Sequence, residues 1–231
     1  MSRSSTEFKT TSQYIIKEED IQKKNVTQLY IVTKRFMDII GAIVGLLFLS
    51  PIFIAVGILY CFGDSKGSIF FKQKRYGKNG ELFNIYKFRS MVKNADEKLM
   101  EDKILYEKYI SNNYKLEQDE DPRITNIGRF LRKTSLDELP QLINVLKGDM
   151  SLVGPRPIVL EELREYKEKA DDFLSVKPGL TGYWQVSGRS NVSYPGRVDI
   201  ELYYVYNQSL LFDINILFKT VVIVILKKGA Y

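Results

Sequence analysis

Two adjacent carboxylates, Asp137 and Glu138, could do chemistry because they lie in an arginine-rich window from Asp121 to Pro157. An ionised carboxylate can attack phosphorus, and neighbouring carboxylates can hold Mg²⁺ together with substrate phosphates. Guanidinium groups bind phosphoryl oxygens in a bidentate way. The window therefore predicts phosphate chemistry, with Mg²⁺ at the two carboxylates and phosphate ligands among its arginines: Arg123, Arg129, Arg132 and Arg156.

A structural role for the same two carboxylates is equally open on spacing alone. An amphipathic helix that ends at Lys147-Gly148 is predicted from apolar residues at helical spacing: Leu139, Leu142, Ile143 and Leu146. Asp137 and Glu138 would lie in its first turn, with Ser135 or Asp137 as the cap, where acidic groups complement the helix dipole. That position would also lower the pKa of Asp137 and attract phosphate to free N–H groups.

Composition excludes several kinds of enzyme. The chain has 231 residues and no histidine, so a Ser-His triad, an imidazole base and histidine-ligated zinc are all excluded. Its single cysteine, Cys61, cannot form an intrachain disulfide. Lys and Arg number 34 against 28 Asp and Glu, and this surplus suits phospholipid headgroups, phosphorylated substrates or nucleic acid.

The apolar run from Phe36 to Phe62 predicts a membrane segment, because it is long enough to cross roughly 30 Å of hydrocarbon. Pro51 should kink the helix, and Ser50 can donate to the Leu46 carbonyl. Basic residues flank both ends of the run, so both ends can be cytosolic. Two topologies stay open: a kinked transmembrane helix that packs through Gly41 and Gly45, and a helix hairpin broken at Ser50-Pro51.

The whole chain is predicted to have three parts: a polar tail (1–33), the membrane segment (34–63) and a catalytic domain (64–231). Residues 70–89 predict a β-hairpin with Gly77 to Gly80 as its turn, and Lys87 and Arg89 on one face. That face is either a phosphate-binding surface or a solvated basic edge. Residues 94–120 predict one or two surface helices, and residues 210–226 an interfacial or a core helix.

These motifs together resemble the bacterial sugar transferase family, the monotopic phosphoglycosyl transferases that act on polyprenyl phosphate. The resemblance runs from about Lys34 to Tyr231. It is carried by KRFMDIIGAIVGLLFLSPIF, QKRYGKNGELFNIYKFRSM, DPRITNIGRFLRKTSLDELPQLINVLKGDMSLVGPRP and KPGLTGYWQVSGRSN. The chain resembles the family's minimal catalytic unit, because longer members carry further transmembrane helices and another domain.

The resemblance implies Mg²⁺-dependent transfer of a sugar-1-phosphate from a UDP-sugar to undecaprenyl phosphate, with release of UMP. Asp137 would be the nucleophile and Glu138 its partner in metal or proton handling. Lys87, Arg89 and Arg156 would hold phosphates. The region of Arg189, Arg197 and Asp199 would close the site over nucleotide or sugar, although structural pairing of Asp199 with an arginine is as plausible.

The resemblance also implies an overall architecture and a cellular place. We expect a mostly helical α+β protein with a re-entrant membrane hairpin, a small catalytic domain with a β-hairpin, and amphipathic interfacial helices. It would lie on the cytoplasmic face of the bacterial membrane and bind no nucleic acid. A homo-oligomer and downstream glycosyltransferases are further expected partners.

Two functional hypotheses follow from the sequence. The first is an enzyme that starts the assembly of a capsule, exopolysaccharide or related glycan. The stretch GLTGYWQVSGRS and the closing Gly229-Ala230-Tyr231 resemble members that handle galactose or glucose. The alternative is a membrane-tethered basic adaptor that binds anionic lipid or nucleic acid without catalysis.

Overall fold

A computed structural model describes residues 26–62, 67–111, 116, 119–187, 192 and 194–226 of the chain. The helices are α1 (Gln28–Leu59), α2 (Ala95–Glu101), α3 (Lys103–Ser111), α4 (Asn126–Lys133), α5 (Gln141–Lys147), α6 (Leu160–Leu163), α7 (Ala170–Leu174), α8 (Tyr183–Ser187), α9 (Gly196–Tyr206) and α10 (Leu210–Ile225). The strands are β1 (Phe70–Tyr76), β2 (Leu82–Phe88), β3 (Ser151–Val153) and β4 (Gly179–Thr181). The predicted α+β class, mostly helical, is therefore confirmed, and so is the pair of helices between residues 94 and 120.

Helix α1 begins at Gln28, earlier than the predicted boundary at residue 34, because Thr27 caps it. The Thr27 Oγ1 accepts a hydrogen bond from the Tyr30 N–H at 3.3 Å. Most of the predicted polar tail, residues 1–25, lies outside the described residues. Within the described part of the chain, α1 is the one helix long and apolar enough to cross a membrane by length and composition.

Pro51 lies inside α1, and the helix continues through it. Proline has no N–H to donate to the Leu47 carbonyl four residues earlier. The Ser50 hydroxyl donates to that carbonyl instead, at 2.8 Å. The prediction that the Ser50 hydroxyl donates to the Leu46 carbonyl is wrong. Pro51 leaves the Leu47 carbonyl without a backbone donor, and Ser50 donates to that group. A re-entrant path requires a bend within α1 and stays a prediction.

Both halves of α1 pack on the rest of the protein. In the first half, Ala42 is fully buried in a cluster with Leu142 and Val153. In the second half, Val56 and Tyr60 pack with a different cluster that includes Phe88 and Leu131. The Tyr60 hydroxyl donates to the Arg89 carbonyl just after β2. The two ends of this apolar helix are thus attached to the same body.

Buried carboxylates attach the first half of α1 to its neighbours. Asp38, the only charge in the apolar run, accepts from the Ser151 hydroxyl and the Leu152 N–H, both at 2.9 Å. Asp213 of α10 is fully buried and pairs with Lys34 at 2.9 Å. These hydrogen bonds explain how charged side chains are accommodated within apolar packing.

Helix α10 presents an apolar outer surface. Ile216 is fully buried, whereas seven apolar side chains on or beside the helix are exposed: Leu211, Ile214, Phe218, Val221, Val222, Val224 and Leu226. Large exposed apolar surfaces on a protein mark a contact with lipid or with another protein. One side of α10 therefore belongs to the core, and the other is suited to an interface. The helix combines the two predicted roles, core helix and interfacial helix.

Two small sheets position the loops that follow α1. β1 and β2 pair antiparallel, with Phe71 opposite Lys87, and the predicted turn holds Asn79 at φ 57° and Gly80 at φ 78°. β3 and β4 pair in parallel, with Ser151 opposite Gly179. The predicted hairpin is confirmed, and the second sheet fixes the loop that follows β3.

Candidate active site

Asp137 and Glu138 lie in a separate 3₁₀ turn, Leu136–Glu138, that precedes α5. Ser135 adopts a left-handed conformation (φ 55°) and its side chain makes no capping hydrogen bond. The prediction that the two carboxylates occupy the first turn of the following helix is therefore wrong. Pro140 separates the turn from α5, which begins at Gln141 and ends, as predicted, with Gly148 in the left-handed region.

The turn is joined to the hairpin by an ion pair. The Lys87 Nζ lies 2.7 Å from the Glu138 Oε1, and the Lys87 side chain is 19% exposed. The interpretation of this strand face as a solvated basic edge is thus wrong at Lys87.

Asn144, on α5, joins that helix to the hairpin. Its Oδ1 accepts from the Tyr86 N–H at 2.9 Å, and its Nδ2 donates to the Asn84 carbonyl at 2.8 Å. The side chain therefore pairs with β2 much as a neighbouring strand would. The Asn144 side chain is fully buried, and its two part-buried hydrogen bonds fix α5 against the hairpin.

Glu138 is held in its ionised form by surrounding cations. Burial raises the pKa of this carboxyl, but Lys87, Arg156 and Arg75 outweigh burial and lower the pKa to about 2. A carboxylate that stays negative at every physiological pH can hold a cation or orient a charged neighbour.

Asp137 has the opposite electrostatic character. Burial raises its pKa to about 6; Lys87 and Arg132 oppose this shift, while the negative charge of Glu138 adds to it. The prediction that the local helix would lower this pKa is wrong, because burial and a neighbouring carboxylate dominate over the short 3₁₀ turn. A carboxylate of raised pKa is the more nucleophilic of the two, yet it is still mostly ionised at neutral pH.

A small, solvent-open concavity lies beside Glu138. Its polar wall is formed by Arg75, Lys87, Glu138, Gln141, Arg156 and Gln185. Lys87, Glu138 and Arg156 were predicted as site residues, whereas Arg75, Gln141 and Gln185 were missed. Arg75 could have been found from its place on β1. That strand pairs with β2, which carries Lys87, and Arg75 lies opposite Phe83 of β2.

Arg156 reaches this concavity because two loops pack backbone to backbone. A Cβ on Gly154 would lie 2.5 Å from the Lys177 carbonyl oxygen, and one on Gly179 would lie 2.1 Å from the Gly154 nitrogen. Only glycine permits this approach. The Arg156 N–H then donates to the Glu201 Oε1 at 3.2 Å, which fixes the loop from the side of α9.

The other predicted phosphate ligands occupy varied positions. Arg132 is close enough to Asp137 to affect its pKa, and its Nε donates to the Ser90 Oγ at 2.8 Å. Arg89 is buried, with its guanidinium 5.5 Å from the Tyr60 ring centre. Arg123 is buried in a bidentate pair with Asp121, at 2.8 and 2.7 Å. That pair is structural in geometry, and phosphate binding by Arg123 stays a prediction.

Of the three residues predicted to bind nucleotide or sugar, the structure describes two, Arg197 and Asp199. Asp199 pairs with Lys169 at 3.5 Å, and both side chains are exposed. The expected partner, an arginine, is thus a lysine. Arg197 is buried between aromatic rings and two glutamates. Arg189 lies outside the described residues.

The two carboxylates can hold Mg²⁺ only as part of a larger ligand set. Among the residues that the structure describes, no three acidic or cysteine side chains are grouped to hold a metal ion. One Glu138 oxygen already accepts from Lys87. Mg²⁺ commonly binds through one or two carboxylates and completes its shell with phosphate oxygens and water. Asp137 and Glu138 fit that pattern, provided a phosphorylated ligand supplies the rest.

Comparison with known proteins gives a consistent result. Residues 29–227 match the family model described as bacterial sugar transferase. The exopolysaccharide production protein ExoY of Sinorhizobium fredii is 47% identical over 204 residues, covering 87% of this chain and 88% of that protein.

Two longer relatives carry names that state a reaction. The undecaprenyl-phosphate galactose phosphotransferase of Salmonella typhimurium is 50% identical over 202 residues, covering 86% of this chain but 41% of that protein. The UDP-glucose:undecaprenyl-phosphate glucose-1-phosphate transferase of Escherichia coli is 38% identical over 206 residues, covering 86% of this chain and 41% of that protein. The chain thus spans less than half the length of these two relatives.

Proposed function

Because this chain belongs to the bacterial sugar transferase family, we propose that it transfers a sugar-1-phosphate from a UDP-sugar to undecaprenyl phosphate and releases UMP. The observation that carries the proposal is the difference between two adjacent carboxyls. Asp137 has a pKa of about 6 and Glu138 one of about 2, beside the cations Lys87, Arg75 and Arg156. Such a pair supplies a nucleophile, Asp137, next to a permanent anion, Glu138, which lines the concavity together with the three cations.

In the first step, an Asp137 carboxylate oxygen attacks the sugar-bearing phosphorus of the donor. A new O–P bond forms, the bond from that phosphorus to the bridging oxygen breaks, and UMP leaves with the bridging oxygen. Lys87, Arg75 and Arg156 bind the phosphoryl oxygens and offset the negative charge that the two phosphates and two carboxylates bring together.

In the second step, a phosphate oxygen of undecaprenyl phosphate attacks the same phosphorus. The bond to Asp137 breaks, the carboxylate is regenerated, and the product is an undecaprenyl diphospho-sugar. Splitting the transfer in two lets UMP leave before the lipid enters, so one set of cations can serve both substrates.

Asp137 and Glu138 are the residues that would hold Mg²⁺. When bound with the donor, the ion would neutralise phosphate charge and help the leaving UMP. Glu138 suits this role because its low pKa keeps it negative without regard to the protonation of Asp137.

The membrane proposal is that α1 enters one leaflet and returns, so that the catalytic domain lies on the cytoplasmic face. Its support is the attachment of both ends of α1 to one body: Lys34 pairs with Asp213, and Tyr60 donates to the Arg89 carbonyl. A helix that crossed the bilayer would place these two ends on opposite sides. The exposed apolar surface of α10 suits the same interface.

The sugar is proposed to be galactose or glucose, and the product to start an exopolysaccharide or capsule repeat. Purified membranes should be tested for UMP release with undecaprenyl phosphate and a panel of UDP-sugars. We expect sustained release, beyond one UMP per protein molecule, to require both the lipid and Mg²⁺, and to be fastest with a UDP-hexose. Binding of lipid without UMP release from any donor would contradict the proposal and favour an adaptor.

A further inference from the structure

We propose that Arg197 is a positioning residue that orients both arginines of the concavity, Arg75 and Arg156, through two glutamates. Arg197 itself is not part of the concavity wall. The inference rests on the proposed function for its substrate class, since the two arginines it orients are those assigned to the donor phosphates.

The first connection runs from Arg197 to Arg75. The Arg197 Nη1 lies 3.2 Å from the Glu162 Oε1, and the Arg75 Nη1 lies 3.5 Å from the Glu162 Oε2. Each oxygen of the Glu162 carboxylate thus pairs with one arginine. Because the Arg197 contact is shorter and its side chain is only 5% exposed, it is the better-fixed partner of Glu162.

The second connection runs from Arg197 to the loop of Arg156. The Arg197 Nε lies 3.3 Å from the Glu201 Oε1, and that oxygen also accepts from the Arg156 N–H at 3.2 Å. The Tyr166 hydroxyl donates to the other Glu201 oxygen. Glu201 therefore holds the backbone of Arg156 and leaves the Arg156 guanidinium to act in the concavity.

Arg197 is itself held rigidly. Its guanidinium carbon lies 4.4 Å from the Trp184 ring centre and 4.9 Å from the Tyr194 ring centre, between the two rings. Stacking on aromatic faces and a planar fork of donors are both specific to arginine. A lysine at this position keeps the charge but cannot reach both carboxylates with one fixed geometry.

The charges of these groups support the same conclusion. Without Arg197, Glu162 would draw on the positive charge of Arg75 alone, and Glu201 would keep only the Arg156 N–H and the Tyr166 hydroxyl. With Arg197 present, its charge faces both carboxylates, so more of the positive charge of Arg75 is left for the phosphates. Arg197 should therefore affect the binding of phosphorylated ligands only through Arg75 and Arg156. It should make no direct contribution of its own to that affinity.

The test is a double-mutant cycle on the affinity of the full-length protein for UDP, measured by titration calorimetry in detergent. Arg197→Lys is compared in the wild-type, Arg75→Ala and Arg156→Ala backgrounds. We expect about tenfold weaker binding in the wild-type background and about threefold in either single background, because coupled residues are not additive. Arg164→Gln, an exposed change on the neighbouring turn, is the matched control and should not alter affinity.

An equal loss in all three backgrounds would show that Arg197 acts independently of Arg75 and Arg156, and would overturn the inference. If Arg197→Lys does not fold, Glu162→Gln should couple to Arg75→Ala and Glu201→Gln to Arg156→Ala, each without coupling to the other arginine. Additivity in both of these pairs would equally overturn it. Failure of the wild-type protein to bind UDP would instead contradict the proposed donor.

Discussion

The Lys87 ammonium lies 2.7 Å from the Glu138 carboxylate, and this contact joins the β1–β2 hairpin to the turn that carries Asp137. Lys87 also lowers the pKa of both carboxyls. One side chain therefore sets the position of the turn and the protonation of its two acids.

Replacing Lys87 should change the pH dependence of the reaction. Lys87→Gln removes a cation that lowers the pKa of Asp137, so more of the Asp137 carboxyl becomes protonated near neutral pH. We expect a loss of at least about tenfold in kcat/KM at pH 7, and an acid limb shifted to higher pH. UMP release measured from pH 5 to 9 reports both effects. Lys74→Gln, an exposed change on β1, should leave the profile unchanged.

The wild-type enzyme should lose activity in mild acid. In the proposed mechanism the attacking form of Asp137 is the carboxylate, and burial raises the pKa of this group to about 6. Above pH 6 most molecules carry the ionised form, and below pH 6 protonation removes the nucleophile. We expect kcat/KM to be half-maximal near pH 6 and to fall about tenfold for each further pH unit. A half-maximal point near pH 4 would indicate an unshifted carboxyl.

Removal of the Asn144 side chain should weaken the attachment of α5 to the hairpin. Asn144→Ala leaves the Tyr86 N–H and the Asn84 carbonyl without this partner in a buried setting. We expect a loss of about 2 to 4 kcal/mol in the free energy of unfolding, from two unsatisfied backbone groups. Denaturant unfolding in detergent measures it. Asn144→Asp keeps the acceptor for Tyr86 but places a buried carboxylate oxygen against the Asn84 carbonyl and the Asp149 carboxylate, so it should destabilise the protein at least as much as Asn144→Ala.

The buried pair of Lys34 and Asp213 should be needed for the docking of α1 on α10. Asp213→Asn leaves the Lys34 charge, whose side chain is 13% exposed, without its anion. We expect about 2 to 3 kcal/mol of destabilisation, less than for a fully buried pair because Lys34 keeps some contact with water. Asp119→Asn is the control, because its pair with Lys133 is exposed and should contribute little. Equal effects of the two changes on thermal unfolding would refute the docking role.

The topology of α1 can be tested with the chain's single cysteine. Cys61 is exposed near the end of α1 and can be labelled by a membrane-impermeant maleimide. The second reporter is Ser4→Cys in a Cys61→Ser chain. For a re-entrant helix, both positions should react only after the cells are permeabilised. Reaction of one position in intact cells would establish a spanning helix.

The elements that sequence predicts best are those with a local cause. The hairpin followed from its glycine turn, and the end of α5 followed from Gly148, because both conformations depend on residues next to them in the chain. The long apolar helix α1 followed from an apolar run in the sequence. The start of α1 was missed because Thr27 caps it from within a polar stretch.

The electrostatics of the site could not be predicted from local sequence. The pKa of Asp137 depends on burial and on Lys87, which lies 50 positions earlier in the chain. Arg75 was missed because its role arises from pairing with Glu162, 87 positions away. No local pattern points to Asn144, because only the packing of α5 on β2 gives this side chain its buried function.

The covalent role of Asp137 is tested most directly by intact-mass measurement of the protein incubated with Mg²⁺ and a UDP-sugar in the absence of undecaprenyl phosphate. We expect the wild-type protein to gain the mass of one hexose phosphate and to lose it when the lipid is added. Asp137→Asn should gain no mass and release no UMP, while Arg164→Gln behaves as the wild type does. Full UMP release by Asp137→Asn, or a mass gain located on another residue, would contradict the assignment of Asp137 as the nucleophile.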